Sequence, residues 1–203
     1  MRGGNWAPAS RWSWSWLPLC AFLWLPVSQV GCQRAASGLL GSSAADNTEA
    51  VLIALSEARA WQRRADLLLL DGDLQGAIHS VEEVLQVPFP ANTPEAEDVR
   101  LDAYLRLARL YLRVGGPESE DRALAAVENG RKQATRDSFF RAHLENAAAD
   151  VYRARGERVT DPAEKRTAHR QELEAHERHI AIDKRLLRAL LNLPPEPTKG
   201  DGR

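Results

Sequence analysis

A helical stretch, a glycine break and a second helical stretch follow one another three times along this chain, with the breaks at Gly72, Gly115 and Gly156. The glycines stand 43 residues (115 − 72) and 41 residues (156 − 115) apart, an interval typical of stacked helix pairs. Between the breaks, apolar residues keep the helical period. Val51, Leu52, Ala54, Leu55, Ala58, Trp61, Ala65 and Leu68 recur at helical steps in the first stretch. Ala77, Ile78, Val81, Val84 and Leu85 share one face of the second. Each pair has an apolar face that it cannot bury alone, so neighbouring pairs must stack. Almost nothing shows the two-residue alternation of a strand. The pattern predicts an all-α fold: antiparallel helix-pair repeats in a short solenoid of about six to seven helices.

Residues around the breaks place the helix ends. Asp46 and Glu49 have capping-box spacing and predict a first helix from Asp46. Asp71-Gly72-Asp73 closes it, and Pro88 and Pro90 end the second. Thr93-Pro94 reads as an N-cap with proline in the first turn. The third helix carries Leu101, Tyr104, Leu105, Leu107, Ala108, Tyr111 and Leu112 up to Val114, where Gly115-Gly116-Pro117 breaks it. A fourth helix is predicted over 118–134. A fifth covers 137–155, with Phe139, Phe140, Leu144, Ala148 and Tyr152, and Gly156 ends it. Asp161-Pro162 opens a last helix that runs to Leu193. Its first half is polar. Its second half, with Ile180, Leu186, Leu187, Leu190 and Leu191, is expected to cover the end of the stack.

The beginning of the chain differs in composition. Five of the six tryptophans lie before residue 25. Arg2 and Arg11 precede an apolar run over 16–27, interrupted by Pro18 and Pro26. Its length fits the roughly 7–15 residues of a secretory signal core and falls short of the roughly 20 of a membrane span. Val30-Gly31-Cys32 resembles the lipobox of bacterial lipoproteins, with Gln29 standing where an aliphatic residue is usual. The resemblance implies a lipidated Cys32 as the first residue of the mature chain. Gln33, rather than aspartate, after it implies the outer membrane, facing the periplasm. The same residues also allow a secreted chain, cut after Ala35 or Ala36, working as a periplasmic helical module without a lipid. The Gly- and Ser-rich stretch that follows reads as a flexible tether. The expected organisation is a signal peptide over 1–31, a lipidated cysteine and tether over 32–46, a helical domain over 47–193, and a disordered tail over 194–203.

Composition excludes several functions. Arg2 and Arg11 are the only charged residues before Cys32, so 25 bases face 28 acids in the mature chain. That balance of −3 gives no drive toward nucleic acid. The other cysteine, Cys20, lies inside the signal, which leaves no intrachain disulfide and no cysteine-type metal site after cleavage.

Residues 58–90 resemble the tetratricopeptide (TPR) repeat. Trp61 takes its early aromatic position, Ala65 the small one, Gly72 the turn, Ala77-Ile78 the small-apolar pair, and Leu85 and Pro90 the closing positions. Arg64 stands where the family usually has leucine. Tyr104, Leu107, Ala108, Tyr111 and Gly115 repeat the pattern, as do Ala148, Ala149, Tyr152 and Gly156. The resemblance implies a groove on the inner helices that takes a partner helix or an extended segment. Arg106, Arg109 and Arg113, spaced i, i+3, i+7, share one helix face. Together with Tyr104 and Tyr111 they are the expected contacts to a protein partner. The competing reading pairs the arginines with Asp66 and Asp150 of neighbouring units. The positions that clamp a carboxylate in chaperone-type repeats read Gln62/Asp66, Leu105/Arg109 and Asn146/Asp150, so that activity is not implied.

His169, His176 and His179 share a long polar helix and are expected to form a solvated face. No glycine-rich phosphate loop, nucleophile elbow or clustered metal motif occurs in the sequence. The expectation is a membrane-anchored interaction scaffold with no enzymatic activity, no cofactor and no metal.

Overall fold

Six helices follow one another in a computed structural model that describes residues 42–194, with side chains from Asn47 onward. They are α1 (Ser42–Leu70), α2 (Leu74–Gln86), α3 (Pro94–Val114), α4 (Pro117–Gln133), α5 (Phe139–Arg158) and α6 (Pro162–Leu190). The fold is all-α, as the periodicity predicts. The expected signal, Cys32, and the tail from residue 195 lie outside the described residues.

Turn chemistry sets most boundaries. Gly72 has φ +81°, a left-handed conformation that a residue with a Cβ rarely adopts. Asp73 then caps α2, its Oδ1 accepting from the Gly76 amide at 2.8 Å. Ser138 caps α5 through the Arg141 amide, and Asp161 caps α6 through the amides of Ala163 and Glu164. Gly115 and Gly116, with φ +78° and +84°, separate α3 from α4.

The helices pack as the sequential pairs α1/α2, α3/α4 and α5/α6, and each pair meets the next through α2–α3, α4–α5 and α3–α5. Side chains also join α1 to α3. Gln62 Nε2 donates to Asp102 Oδ2 at 2.8 Å, and Arg106 Nη2 to Asp66 Oδ1 at 3.0 Å. The odd-numbered helices therefore lie side by side. The core runs through Ala58 and Ala65 of α1, Val81 and Val84 of α2, Leu105 and Ala108 of α3, Val127 of α4, and Leu144 and Val151 of α5. Burying side chains as large as Leu105 and Leu144 contributes about 1.5–3 kcal/mol each. Small residues set the helix spacing: Ala65, Ala77, Ala108, Ala123, Ala147 and Ala148 are all fully buried.

Four expectations need correction. α1 begins at Ser42, so the Asp46/Glu49 box lies inside the helix and the domain boundary moves back from residue 47. Ser42 to Ala45 contain no helix breaker, and the preceding residue is Gly41. Thr93 stands at the N-cap of α3 with Pro94 after it, as expected, but its side chain makes no capping bond; its hydroxyl donates instead to the Pro90 carbonyl at 2.8 Å. Gly156 is not a turn. It lies within α5, where a Cβ would stand 3.4 Å from that of Ala168 on α6. That is ordinary van der Waals contact, so a side chain fits there, and the chain turns only after Arg158.

The fourth correction concerns α6. It ends at Leu190, short of Leu193, and its apolar second half does not seal the stack. Ala168, Ala175 and Ile182 are its buried residues, whereas Leu187 and Leu190 are 56 % and 80 % exposed. α6 runs antiparallel to α5, with His179 against Ala142 and Arg185 against Asp137. Its last turns therefore overhang the start of α5. Beyond it, Arg188 donates to the Pro194 carbonyl at 2.8 Å.

Candidate partner-binding face

The three arginines of α3 border a cleft of about 280 Å³ between α1 and α3. Ala65, Asp66 and Leu69 form one wall, Arg106, Arg109, Leu110 and Arg113 the other, and Val81 of α2 closes the floor. Two of the three guanidiniums differ from the third in what they touch. Arg106 is held by Asp66 at 3.0 Å and by Asp102 at 3.8 Å. Arg109 and Arg113 are exposed and have no carboxylate partner among the described residues. The competing reading, which pairs the arginines with Asp66 and Asp150, thus holds in part: Asp66 takes Arg106, while Asp150 pairs with Arg153 of its own helix.

Asp102 lies beneath this face. Burial pushes its carboxyl above the ordinary 3.8, Arg106 and Arg109 oppose that, and Asp66 adds to it. Arg109 also acts across to α5. The His143 ring is held below its ordinary 6.5 by burial, with Arg109 and His179 acting in the same direction.

The tyrosines do not join the arginines. Positions 104 and 111 fall nearly half a turn from 106, 109 and 113. Tyr104 packs on the core beside Gly130 of α4. Tyr111 packs on the core as well, and its hydroxyl donates to Glu82 of α2 at 3.0 Å. Shared helix membership does not make a shared surface, and the five residues divide into an arginine face and a tyrosine seam.

Sequence reasoning missed the carboxylates that lock α4, α5 and α6. The Glu145 side chain is 6 % exposed. Arg131 of α4 forks onto it, with Nε donating to Oε1 at 2.8 Å, and Arg178 of α6 donates to Oε2 at 2.8 Å. Burial works to raise the Glu145 pKa, but the two guanidiniums hold it below the ordinary 4.5. Glu120 of α4 is 5 % exposed and receives Arg158 at 2.7 and 3.0 Å, with Arg155 at 3.7 Å. Its carboxyl is also lowered, first by the Arg158 hydrogen bonds. Glu97 of α3 receives the Thr135 hydroxyl and the amides of Thr135 and Arg136, fixing the α4–α5 connection. The only sequence signal for these bonds was a polar residue at a core-facing helical position, as at Glu120 and Glu145.

The histidines also separate. His169 is exposed beside Glu172, as expected of a solvated face. His179 turns inward, its Nδ1 2.7 Å from the Ala142 carbonyl oxygen and its ring 5.7 Å from that of His143. Among the described residues, no group of three or more His, Cys, Asp and Glu is placed to hold a metal ion. No helix among them is long and apolar enough to cross a membrane. Set against family models, curated proteins and solved structures, the chain matches none.

Proposed function

We propose that this chain is a non-enzymatic, TPR-like interaction scaffold of the bacterial cell envelope, anchored by lipid on Cys32 in the outer membrane and facing the periplasm. The observation that carries the binding role is the pair of unneutralised guanidiniums, Arg109 and Arg113, beside an apolar-floored cleft. Their ligand is an acidic, extended or helical segment of a protein partner. Arg106, already held by Asp66 and Asp102, keeps the wall of the cleft in place. Tyr104 and Tyr111 support α3 from behind. The anchor rests on the resemblance of Val30-Gly31-Cys32 to a lipobox. A single acyl chain binds a membrane only marginally, so the multiple chains of a lipoprotein suit a permanent tether.

Titrating the full chain with a fluorescent Asp/Glu-rich peptide tests the binding role. The wild-type chain is expected to bind with an affinity that falls as salt rises. Arg109→Glu with Arg113→Glu is expected to weaken binding at least about tenfold, or ~1.4 kcal/mol. Equal binding by the reversed variant contradicts the proposal. Mass spectrometry of the mature N-terminus, with Cys32→Ser in parallel, tests the anchor. An unmodified terminus after Ala35 or Ala36 contradicts it and favours the secreted form.

A further inference from the structure

α6 carries two seven-residue stripes on nearly opposite faces. Ala168, Ala175 and Ile182 are 3 %, 0 % and 4 % exposed. Leu173, Ile180 and Leu187 are 51 %, 50 % and 56 % exposed. At about 100° per residue the second stripe stands nearly half a turn from the first. Aliphatics repeating every seven residues drift only about 20° per repeat, so they form one apolar ridge along α6 against which a second helix can pack. At the start of α5, Phe139 extends the apolar surface, since it borders the same cleft as Ile180 and Leu187.

The charges beside the stripe say what covers it. Most charged side chains near its centre are already engaged within the chain: Arg178 with Glu145, Asp183 with His179, Arg185 with Asp137. Glu177 and Lys184 are not. Both are exposed, and neither has an ion-pair partner among the described residues. They stand three residues before and four residues after Ile180, on the same edge of the stripe.

We propose that a second copy of this chain covers the stripe, with the two α6 helices antiparallel about a two-fold axis at Ile180. In that register Ile180 meets its own counterpart, and Leu173 meets Leu187 of the second copy. Glu177 of each copy lies beside Lys184 of the other, so symmetry forms the ion pair twice. In a parallel pair the two-fold runs along the helices and carries Glu177 and Lys184 to the opposite edge of the interface, so neither meets the other and the ion pair is lost. The charge pattern therefore selects the antiparallel pairing and disfavours the alternative. One helix from each copy makes an interface at the small end of the stable range, so the dimer forms and dissociates with concentration.

Sedimentation equilibrium of the full chain, over a concentration series in density-matched detergent, tests this. A monomer–dimer equilibrium is expected. Ile180→Glu is expected to weaken dimerisation at least about tenfold while circular dichroism keeps the wild-type helix content. Lys184→Glu is expected to weaken it too, and adding Glu177→Lys to that variant to restore it to within about threefold of wild type. A monomer at every concentration overturns the proposal, as does a dimer indifferent to Ile180→Glu. A double reversal that stays as weak as the single one overturns the antiparallel register.

Discussion

α1 and α6 are each 29 residues long, yet they are held to the array by different forces. α1 and its neighbours share an apolar seam: Ala58, Ala65, Ala77, Ile78, Val81 and Val84 are all buried. The ion pair that joins α1 to α3, Asp66–Arg106, stands partly in water, with side chains 47 % and 32 % exposed. α6 meets α5 mainly through alanines, and buried carboxylates close the joint. Glu145 binds α4 and α6 at once, Glu120 ties α4 to the end of α5, and the partly exposed Asp137 takes Arg185. An apolar seam keeps its strength at any moderate pH. A carboxylate seam depends on remaining ionised.

The largest effect is expected where that difference is sharpest. Glu145→Ala removes the carboxylate that Arg131 and Arg178 share, leaving Arg131 only the more exposed Glu128 and Arg178 no counter-charge. Denaturant unfolding at neutral pH should show a loss of about 3 kcal/mol, at the low end for a broken buried pair because both arginines reach water. A loss below about 1 kcal/mol would mean that Glu145 is not the lock it resembles here. On the other side, Ile78→Ala should cost about 2 kcal/mol, and by the same amount in acid as at neutral pH.

Gly130→Ala probes the middle of the array. The added Cβ would lie 2.5 Å from Leu144 Cδ2 and 3.2 Å from Tyr104 Cβ. Leu144 is fully buried and cannot swing away. Overpacking then outweighs the gain in helix propensity, and a net loss of about 1 kcal/mol is expected in thermal unfolding. Arg106→Ala should have the smallest effect, under about 1 kcal/mol, because its partners stand partly in solvent. If it equals Glu145→Ala, the contrast between the two joints disappears.

Much of this fold was legible in the sequence. Ala77, Ile78, Val81 and Val84 announce a buried face by spacing alone, and Gly72 and Gly115-Gly116 mark true turns. Gly156 reads as a third turn because spacing cannot distinguish a glycine that turns the chain from one inside a helix. The apolar end of α6 looked like a cap because periodicity shows that a face is apolar, not what it meets. Glu120 and Glu145 stand at core-facing positions, but spacing does not show what satisfies them, since their arginines come from distant positions: 158 for one, 131 and 178 for the other. At the candidate site, spacing correctly grouped Arg106, Arg109 and Arg113. It could not show that Asp66 and Asp102 engage the first and leave the other two open, nor that Tyr104 and Tyr111 face away.

Acid distinguishes the two joints by sign. Glu145, Glu120 and Asp137 have folded pKa values below their ordinary ones, so their stabilisation is complete above the ordinary values and is lost as pH falls through the folded ones. For the two glutamates that loss begins near pH 4.5 and continues below it. His143, held below 6.5, adds an earlier cost of the same sign as the unfolded chain takes up its proton first. Asp102, between α1 and α3, is raised above 3.8, so acid removes a cost there instead of adding one.

Amide hydrogen exchange, read helix by helix at about pH 7 and about pH 3 and corrected for intrinsic rates, tests the contrast most directly. Protection in α5 and α6 should fall at the lower pH while α2 keeps its own. Equal loss across all six helices, or earlier loss in α2, would contradict an array closed by apolar packing at one end and by buried carboxylates at the other.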